Sequence, residues 1–184
     1  MTARRIAIAA LLVIAAAAAI ELAMGRNPIC TCGTIDLWVG ARDSPRTSQM
    51  LVDWYSLSHI VHGLLFYAAL WLLFRRSPVG WRFLAALLIE TAWEVIENTP
   101  FVIDRYRETT AALGYSGDSV VNSVSDVLMM CVGFLAARRL PLWASILLVV
   151  ALEVLPLFVI RDNLTLNVWN LLAPSAAVQA WQSR

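Results

Sequence analysis

The sequence predicts an all-α, polytopic membrane helix bundle of about five transmembrane helices. Of its 184 residues, 60% are apolar and only 15% are charged, whereas a typical soluble domain is roughly 45–50% apolar. A soluble chain of this length keeps too large a surface to bury so many apolar side chains. The apolar residues also cluster in stretches that approach the ~20 residues needed to cross a bilayer core. We therefore expect one integral membrane domain over residues 1–184.

Five apolar stretches are the predicted spans. They lie near Ile6–Met24, Trp54–Phe74, Trp81–Glu97, Val120–Ala137 and Leu140–Ile160. The third is the shortest and contains glutamates, so it crosses only if those side chains face protein or trapped water. The first follows Arg4 and Arg5 and resembles a signal peptide, but its apolar run is long for one. We expect it to be a retained anchor.

Outer loops over residues 25–53 and 98–119 and an outer tail over 161–184 complete this topology. The first loop is rich in Gly, Pro and Ser, which favour irregular structure. Within the tail, the apolar segment Leu164–Leu172 is too short to cross a bilayer. It is typical of an interfacial or re-entrant segment.

The arginines predict the orientation of the bundle. All 14 basic residues are Arg, and positive residues accumulate in cytoplasmic loops. With the N-terminus in the cytoplasm, the inner loops contain no acidic residue and hold Arg4, Arg5, Arg75, Arg76, Arg82, Arg138 and Arg139. We expect a cytoplasmic N-terminus, a periplasmic C-terminus and the inner membrane of a bacterium. All 13 acidic residues fall on the outer side, which this rule does not explain.

Polar side chains fall at one shallow depth on the predicted spans. Residues three or four apart share a helix face, and such faces carry His59 and His62, then Glu90, Glu94 and Glu97, then Asn122 and Asp126. A rise of about 1.5 Å per residue puts the two histidines, Glu90, Glu94 and Asp126 roughly 5 to 12 Å below the outer surface. Each charge inside the bilayer costs at least ~2.5–3.5 kcal/mol. We expect an outward-facing polar pocket.

His59, His62, Glu90, Glu94 and Asp126 are the predicted catalytic residues. One His acts as a general base near neutral pH, and Glu90 relays a proton or acts as a general acid. His59, His62, Glu94 and Asp126 are alternatively ligands of a divalent metal such as Zn, Mn or Fe, and Glu90 could also complete that site. The third interpretation is structural, with neutral histidines hydrogen-bonded to carboxylates between the spans.

Arg105, Arg107, Asn122 and Arg161 are the predicted substrate-binding residues. The three arginines lie in outer segments, where a guanidinium group binds phosphate or carboxylate or pairs with a neighbouring acid. Asn122 lies inside the fourth span, beyond the reach of a helix cap. Asp118 precedes that span, and we expect it to be its N-cap.

Cys30 and Cys32 lie in the first outer loop. The periplasm is oxidising, but a bridge between residues two apart is strained. We expect each to be a metal ligand, a redox-labile thiol or a partner in a bridge between chains.

Several strings of sequence resemble an uncharacterised family of small multi-pass inner-membrane proteins of alphaproteobacteria. They are Ile29–Gly33, Ser58–Gly63, Trp93–Phe101, Gly117–Asp126 and Arg161–Asn167. The resemblance covers nearly the whole chain. It implies location and topology only, because the family has no assigned activity.

A weaker similarity is to VanZ-like envelope proteins, which have a His on one span and an Asp/Asn ladder before a Gly on another. His59, Asn122, Asp126 and Gly133 take these places, while Met130 stands where that pattern has Asn.

Three functions are compatible with these residues. The first is an intramembrane enzyme acting on an envelope lipid or lipid-linked precursor at the outer leaflet. The second is a binding module for a metal ion or proton, and the third is an accessory protein that scaffolds another membrane protein. Besides the lipid bilayer, the expected partners are therefore a lipid or a protein. A net charge of +1 gives no reason to expect nucleic acid.

Overall fold

Five long helices and three short ones make up most of the chain in the computed structural model, which describes residues 2–110 and 114–183. Two two-residue strands, β1 (Trp38–Val39) and β2 (Val52–Asp53), pair in parallel in the first loop. The helices are α1 (Ala3–Ala23), α2 (Ser56–Leu73), α3 (Val79–Glu97), α4 (Pro100–Thr109), α5 (Val120–Arg139), α6 (Leu142–Ile160), α7 (Leu164–Leu172) and α8 (Ala176–Gln182).

The all-α bundle predicted from the sequence is confirmed. The five predicted spans coincide with α1, α2, α3, α5 and α6 to within three residues at either end. Four of them, all except α3, are long and apolar enough to cross a membrane. Helix α3 has the length, at 19 residues, but it carries Arg82 and three glutamates.

Helix α3 runs antiparallel to α2 and α5 and packs against both. At its start, Gly80 lies against the side chain of Ile6 near the beginning of α1. At its end, the side-chain Nδ2 of Asn98 donates to Asp118 Oδ2 at 3.0 Å and to Ser123 Oγ at 3.3 Å, beside the beginning of α5. Helix α3 thus lies alongside α2 and α5, and its crossing of the membrane stays a prediction.

The contact between α2 and α5 is the closest approach of two helices in the bundle core. A Cβ atom on Gly63 would collide with the Met130 carbonyl oxygen, and one on Gly133 would collide with the Ile60 carbonyl oxygen. Small residues allow such backbone contact between membrane helices. His59 lies one turn before Gly63 and Asp126 two turns before Gly133. This crossing therefore sets the distance between the two polar faces.

Helix capping explains part of the one-sided distribution of acids. Asp53 Oδ1 accepts from the backbone amides of Tyr55 at 2.8 Å and Ser56 at 3.3 Å, at the beginning of α2. Glu153 accepts from the amides of Leu164 and Thr165 at 3.2 and 3.0 Å, at the beginning of α7. Carboxylates stabilise helix N-termini, and these N-termini lie at the end of the bundle that is predicted to face outward.

The segment 98–119, predicted as an outer loop between spans, contains a helix, α4, that was not predicted. Thr99 Oγ1 accepts from the Val102 amide, and Pro100 occupies the first turn, a combination that favours helix initiation. Residues 111–113 of this loop lie outside the described residues. The tail forms α7 and α8, and α7 has the predicted bounds and packs against α4.

Cys30 and Cys32 form a disulfide, so the expectation that they would not bridge to each other is wrong. Their Cα atoms lie 5.2 Å apart, within the usual range for a disulfide. Cys30 is buried against Val39 and Met50. The free cysteine, Cys131, lies in α5 and packs against the core.

Candidate functional site

Both histidines converge on one buried glutamate. His59 Nδ1 lies 2.6 Å from Glu90 Oε1, and His62 Nδ1 lies 3.2 and 3.1 Å from Glu90 Oε1 and Oε2. The Glu90 side chain has no exposed surface. One potential ligand atom of each of these residues lies within 4.8 Å of the other two. The helical spacing on α2 thus presents two imidazoles to one carboxylate of α3.

Two further carboxylates lie beside His59. Glu94 Oε1 is 3.3 Å from His59 Nδ1, and Asp126 Oδ2 is 3.8 Å from His59 Nε2. Within residues 2–110 and 114–183, both Glu94 oxygens and Asp126 Oδ1 are buried without a hydrogen-bond partner. The structure therefore brings together all five predicted catalytic residues. The closest set of possible metal ligands among the described residues is His59, His62 and Glu90.

A cavity of about 260 Å³ opens beside this cluster. Its polar side includes His59, His62 and Asp126, and its apolar side includes Phe66 and Ile89. The ring of His62 stacks on that of Phe66, with centroids 5.6 Å apart. Helix α7 contributes Leu164, Asn167, Val168 and Leu171, and the outer loop contributes Tyr106, Tyr115 and Asp118. The cavity thus lies between the spans and the outer layer formed by α4 and α7.

Asp118 belongs to this outer layer and is not the cap of α5, which corrects the prediction. Ser119 is the cap, because its hydroxyl accepts from the Asn122 amide at 3.2 Å. Asp118 Oδ2 accepts from the Asn98 amide group and from the Tyr115 hydroxyl, both at 3.0 Å. Burial raises the pKa of Asp118 to about 6, and these two hydrogen bonds partly oppose that shift.

The predicted substrate-binding arginines lie apart from the two histidines. Arg105 donates to the Leu171 carbonyl at 2.9 and 3.2 Å. Arg107 donates to the Tyr115 carbonyl at 2.6 Å and lies 3.4 Å from Asp104. Arg161 donates to the Trp181 carbonyl at 3.2 Å. Their substrate-binding role stays a prediction.

Asn122 lies between the cluster and the first outer loop. Its Nδ2 donates to the Met50 carbonyl at 2.8 Å, and its buried Oδ1 has no partner in the described part of the chain. Asn122 therefore ties the loop to α5, and its contact with substrate stays a prediction.

Sequence reasoning placed Tyr55 and Phe66 beside the histidines, but it missed Trp93, Tyr106 and Tyr115. Tyr55, Trp93, Tyr106 and Tyr115 line the cavity. Trp93 precedes Glu94 in α3, so its place near the glutamates could have been read from the helix. Tyr55 is held by an acid distant in sequence, because its hydroxyl donates to Asp162 Oδ2 at 3.1 Å, and sequence spacing does not reveal this contact.

Asp162 gives the protein a testable pH dependence. Burial raises its pKa to about 6, against the hydrogen bonds from the Asn163 amide and the Tyr55 hydroxyl. A carboxyl group with a raised pKa binds its proton more tightly in the folded state, so its contribution to stability falls as the pH rises from about 4 to above 6. The unfolding midpoints of the wild type and of Asp162→Asn are compared at each pH. We expect the difference, wild type minus variant, to fall by several degrees as the pH rises over this range. A difference that rises or stays constant contradicts this assignment.

Comparisons with known proteins give one family. A family model described as a protein of unknown function, DUF2585, matches residues 21–184. A UPF0314 protein of Paracoccus denitrificans is 53% identical over 175 residues, which cover 95% of this chain and 91% of that protein. A UPF0314 protein of Sphingopyxis alaskensis is 53% identical over 172 residues, covering 92% and 90%. One of Agrobacterium fabrum is 50% identical over 161 residues, covering 88% and 81%. No solved structure matches.

Proposed function

The chain belongs to the DUF2585 family of unknown function, and we propose that it is a bacterial inner-membrane enzyme whose outward-facing site binds a divalent cation. Its substrate is an envelope lipid or a lipid-linked precursor at the outer leaflet. In this proposal the N-terminus is cytoplasmic and the C-terminus periplasmic, as the arginine distribution favours.

The observation that carries the proposal is an excess of buried carboxylates around two histidines. Glu90, Glu94 and Asp126 surround His59, and three of their oxygens have no hydrogen-bond partner among the described residues. Burying unpaired carboxylates costs several kcal/mol each. A divalent cation would offset that cost, because it neutralises two charges and accepts oxygen and imidazole ligands together.

The ligand types indicate what such a cation would do. Two imidazoles and one carboxylate, here His59, His62 and Glu90, are a ligand set of catalytic zinc sites that leave a position open. A metal in such a site lowers the pKa of bound water and polarises carbonyl or phosphoryl oxygens. His59 and His62 also line the cavity, so a substrate there would reach the open position. Asp126 faces the same cavity and is suited to accept or donate a proton.

The rim of the cavity supports a lipid substrate. Ile89 on α3 and Val168 on α7 line the cavity and are each 46% exposed. Residues of this kind on a membrane helix face acyl chains. An amphiphile can therefore place its polar group near the histidines while its chains remain in the lipid.

The metal content of the purified protein tests the cation site. The chain has only two histidines, so His59→Ala/His62→Ala removes every imidazole. We expect about one Zn, Mn or Fe per chain in tag-free wild type and none in the double variant. Glu108→Gln is the matched control, because this exposed acid of α4 lies outside the cavity lining, and it should keep the metal. Wild type that binds no divalent ion, with a double variant of lowered stability, would assign the cluster to helix packing.

Enzymatic activity is tested separately in nanodiscs that contain an envelope lipid extract. After incubation with metal, the lipids are compared by mass spectrometry between the wild type and the double variant. A species consumed only by the wild type supports the enzyme. Identical lipid profiles, with metal bound, would leave a binding module.

A further inference from the structure

The charges that line the cavity are unusual for a site that would bind an anionic headgroup. Glu97, Asp118 and Asp126 are on the lining, whereas none of the lining residues in the described chain is an arginine. The nearest candidates are engaged elsewhere, since Arg105 and Arg107 donate to backbone carbonyls. Among the described residues, the lining therefore has three carboxylates and, apart from the two histidines, no basic side chain.

Aromatic rings lie beside these carboxylates. The rings of Tyr106 and Tyr115 are in edge contact, with centroids 5.3 Å apart. The Tyr115 hydroxyl donates to Asp118 at 3.0 Å, and the Tyr106 hydroxyl donates to Glu97. Trp93 lines the cavity on the α3 side. Aromatic faces attract cations, and quaternary ammonium groups in particular bind in aromatic cages.

One carboxylate of the lining, Asp126, has an oxygen without a hydrogen-bond partner in the described chain. Asp126 is 4% exposed and lines the cavity, and its buried Oδ1 has no hydrogen-bond partner in residues 2–110 and 114–183. The volume of about 260 Å³ is close to the lower end for small-molecule sites, ~300 Å³. It suits a small polar headgroup.

We infer that this cavity binds an organic ammonium group, held by Glu97, Asp118 and Asp126 and by the rings of Trp93, Tyr106 and Tyr115. The inference rests on the proposed function, because it names the substrate class of the same site. It assigns recognition of the headgroup to carboxylates and aromatic rings, whereas the sequence predicted arginines and an anionic group.

Binding of choline by equilibrium dialysis tests the inference. The tag-free protein is treated with EDTA and placed in phosphatidylglycerol nanodiscs, so that the result does not depend on a metal. We expect choline to bind at least about tenfold more tightly than 3,3-dimethylbutanol, its uncharged carbon analogue. Equal affinities, or no choline binding by folded wild type, would overturn the inference and leave the metal site untouched.

Two substitutions locate the ammonium group. Trp93→Leu keeps an apolar side chain but removes the aromatic face, and we expect about tenfold weaker choline binding with unchanged metal content. Trp143→Leu is the matched control, because Trp143 is 69% exposed in α6 and lies outside the lining. We expect Asp118→Asn to weaken choline binding to a similar degree. Choline affinity that is unchanged in both cavity variants would also overturn the inference.

The lipid of the nanodisc is varied to tell whether the ammonium group belongs to a lipid headgroup or to a water-soluble compound. Free choline is titrated in phosphatidylglycerol discs and in phosphatidylcholine discs. Loss of choline binding only in phosphatidylcholine discs identifies a lipid headgroup as the occupant. Equal binding in both discs identifies a small water-soluble ammonium compound.

Discussion

Replacing Gly133 by alanine is expected to lower the free energy of unfolding by about 2 kcal/mol or more. Alanine in the interior of a helix is normally favoured over glycine by up to ~1 kcal/mol. Helix propensity alone would therefore raise the stability of Gly133→Ala, whereas we expect it to fall. The reason is that a Cβ atom on Gly133 collides with the Ile60 carbonyl oxygen. A backbone atom of a packed helix cannot move aside as a side chain can, and α2 must separate from α5.

The measurement is thermal or denaturant unfolding of the detergent-purified variant. Gly80→Ala is the matched control, since a Cβ atom there meets only the end of the Ile6 side chain, which can rotate away. We expect a much smaller change for Gly80→Ala. Separation of α2 from α5 also moves His59 away from Asp126, whereas the proposed ligands His59, His62 and Glu90 lie on α2 and α3. An increase in stability would show that the two helices do not cross at these glycines.

The long helices were predicted from the sequence because the bilayer imposes a length on them. A run of about 20 apolar residues has few other structures available in a membrane, and the observed helices follow those runs closely. Helices α4 and α8 have 10 and 7 residues, and no such length rule applies to them. The Thr99–Pro100 pair was a visible sign of α4. The resemblance to an uncharacterised alphaproteobacterial family is confirmed, and the similarity to VanZ-like proteins stays a prediction.

The faces of the site were predicted, but their pairing was not. Helical spacing places His59 and His62 on one face of α2, and it places Glu90 and Glu94 on one face of α3. Which glutamate meets which histidine depends on how far each helix is rotated and shifted, and spacing within one helix does not contain that information. The arginine partners were missed for a similar reason, because backbone carbonyls such as that of Leu171 leave no sign in the sequence.

Replacing Glu90 by alanine is expected to have the largest effect of any single side-chain removal in the polar cluster. Glu90 is the shared partner of His59 and His62, and its side chain is fully buried. Breaking a buried charged pair from one side costs about 3–5 kcal/mol, and here two imidazoles lose their partner together. We expect Glu90→Ala to purify in low yield and to unfold far below the wild type.

Glu90→Gln separates the structural role of this residue from its role in binding a cation. Glutamine keeps the size of the side chain and one acceptor oxygen for an imidazole N–H, so we expect most of the stability to remain. It removes the negative charge that a divalent cation needs from its ligands, so we expect the metal to be lost. Elemental analysis and unfolding are therefore measured on the same preparation.

The two measurements on Glu90→Gln decide between a metal centre and a helix contact. A variant that loses its metal while its unfolding midpoint stays within a few degrees of the wild type identifies Glu90 as a ligand. A variant that keeps its metal but loses stability identifies Glu90 as a link between α2 and α3, and the cation must then lie between His59, Glu94 and Asp126. Glu94 and Asp126 are the only carboxylates besides Glu90 within 4.0 Å of a histidine in the described chain. Glu94→Gln should then remove the metal that Glu90→Gln had retained.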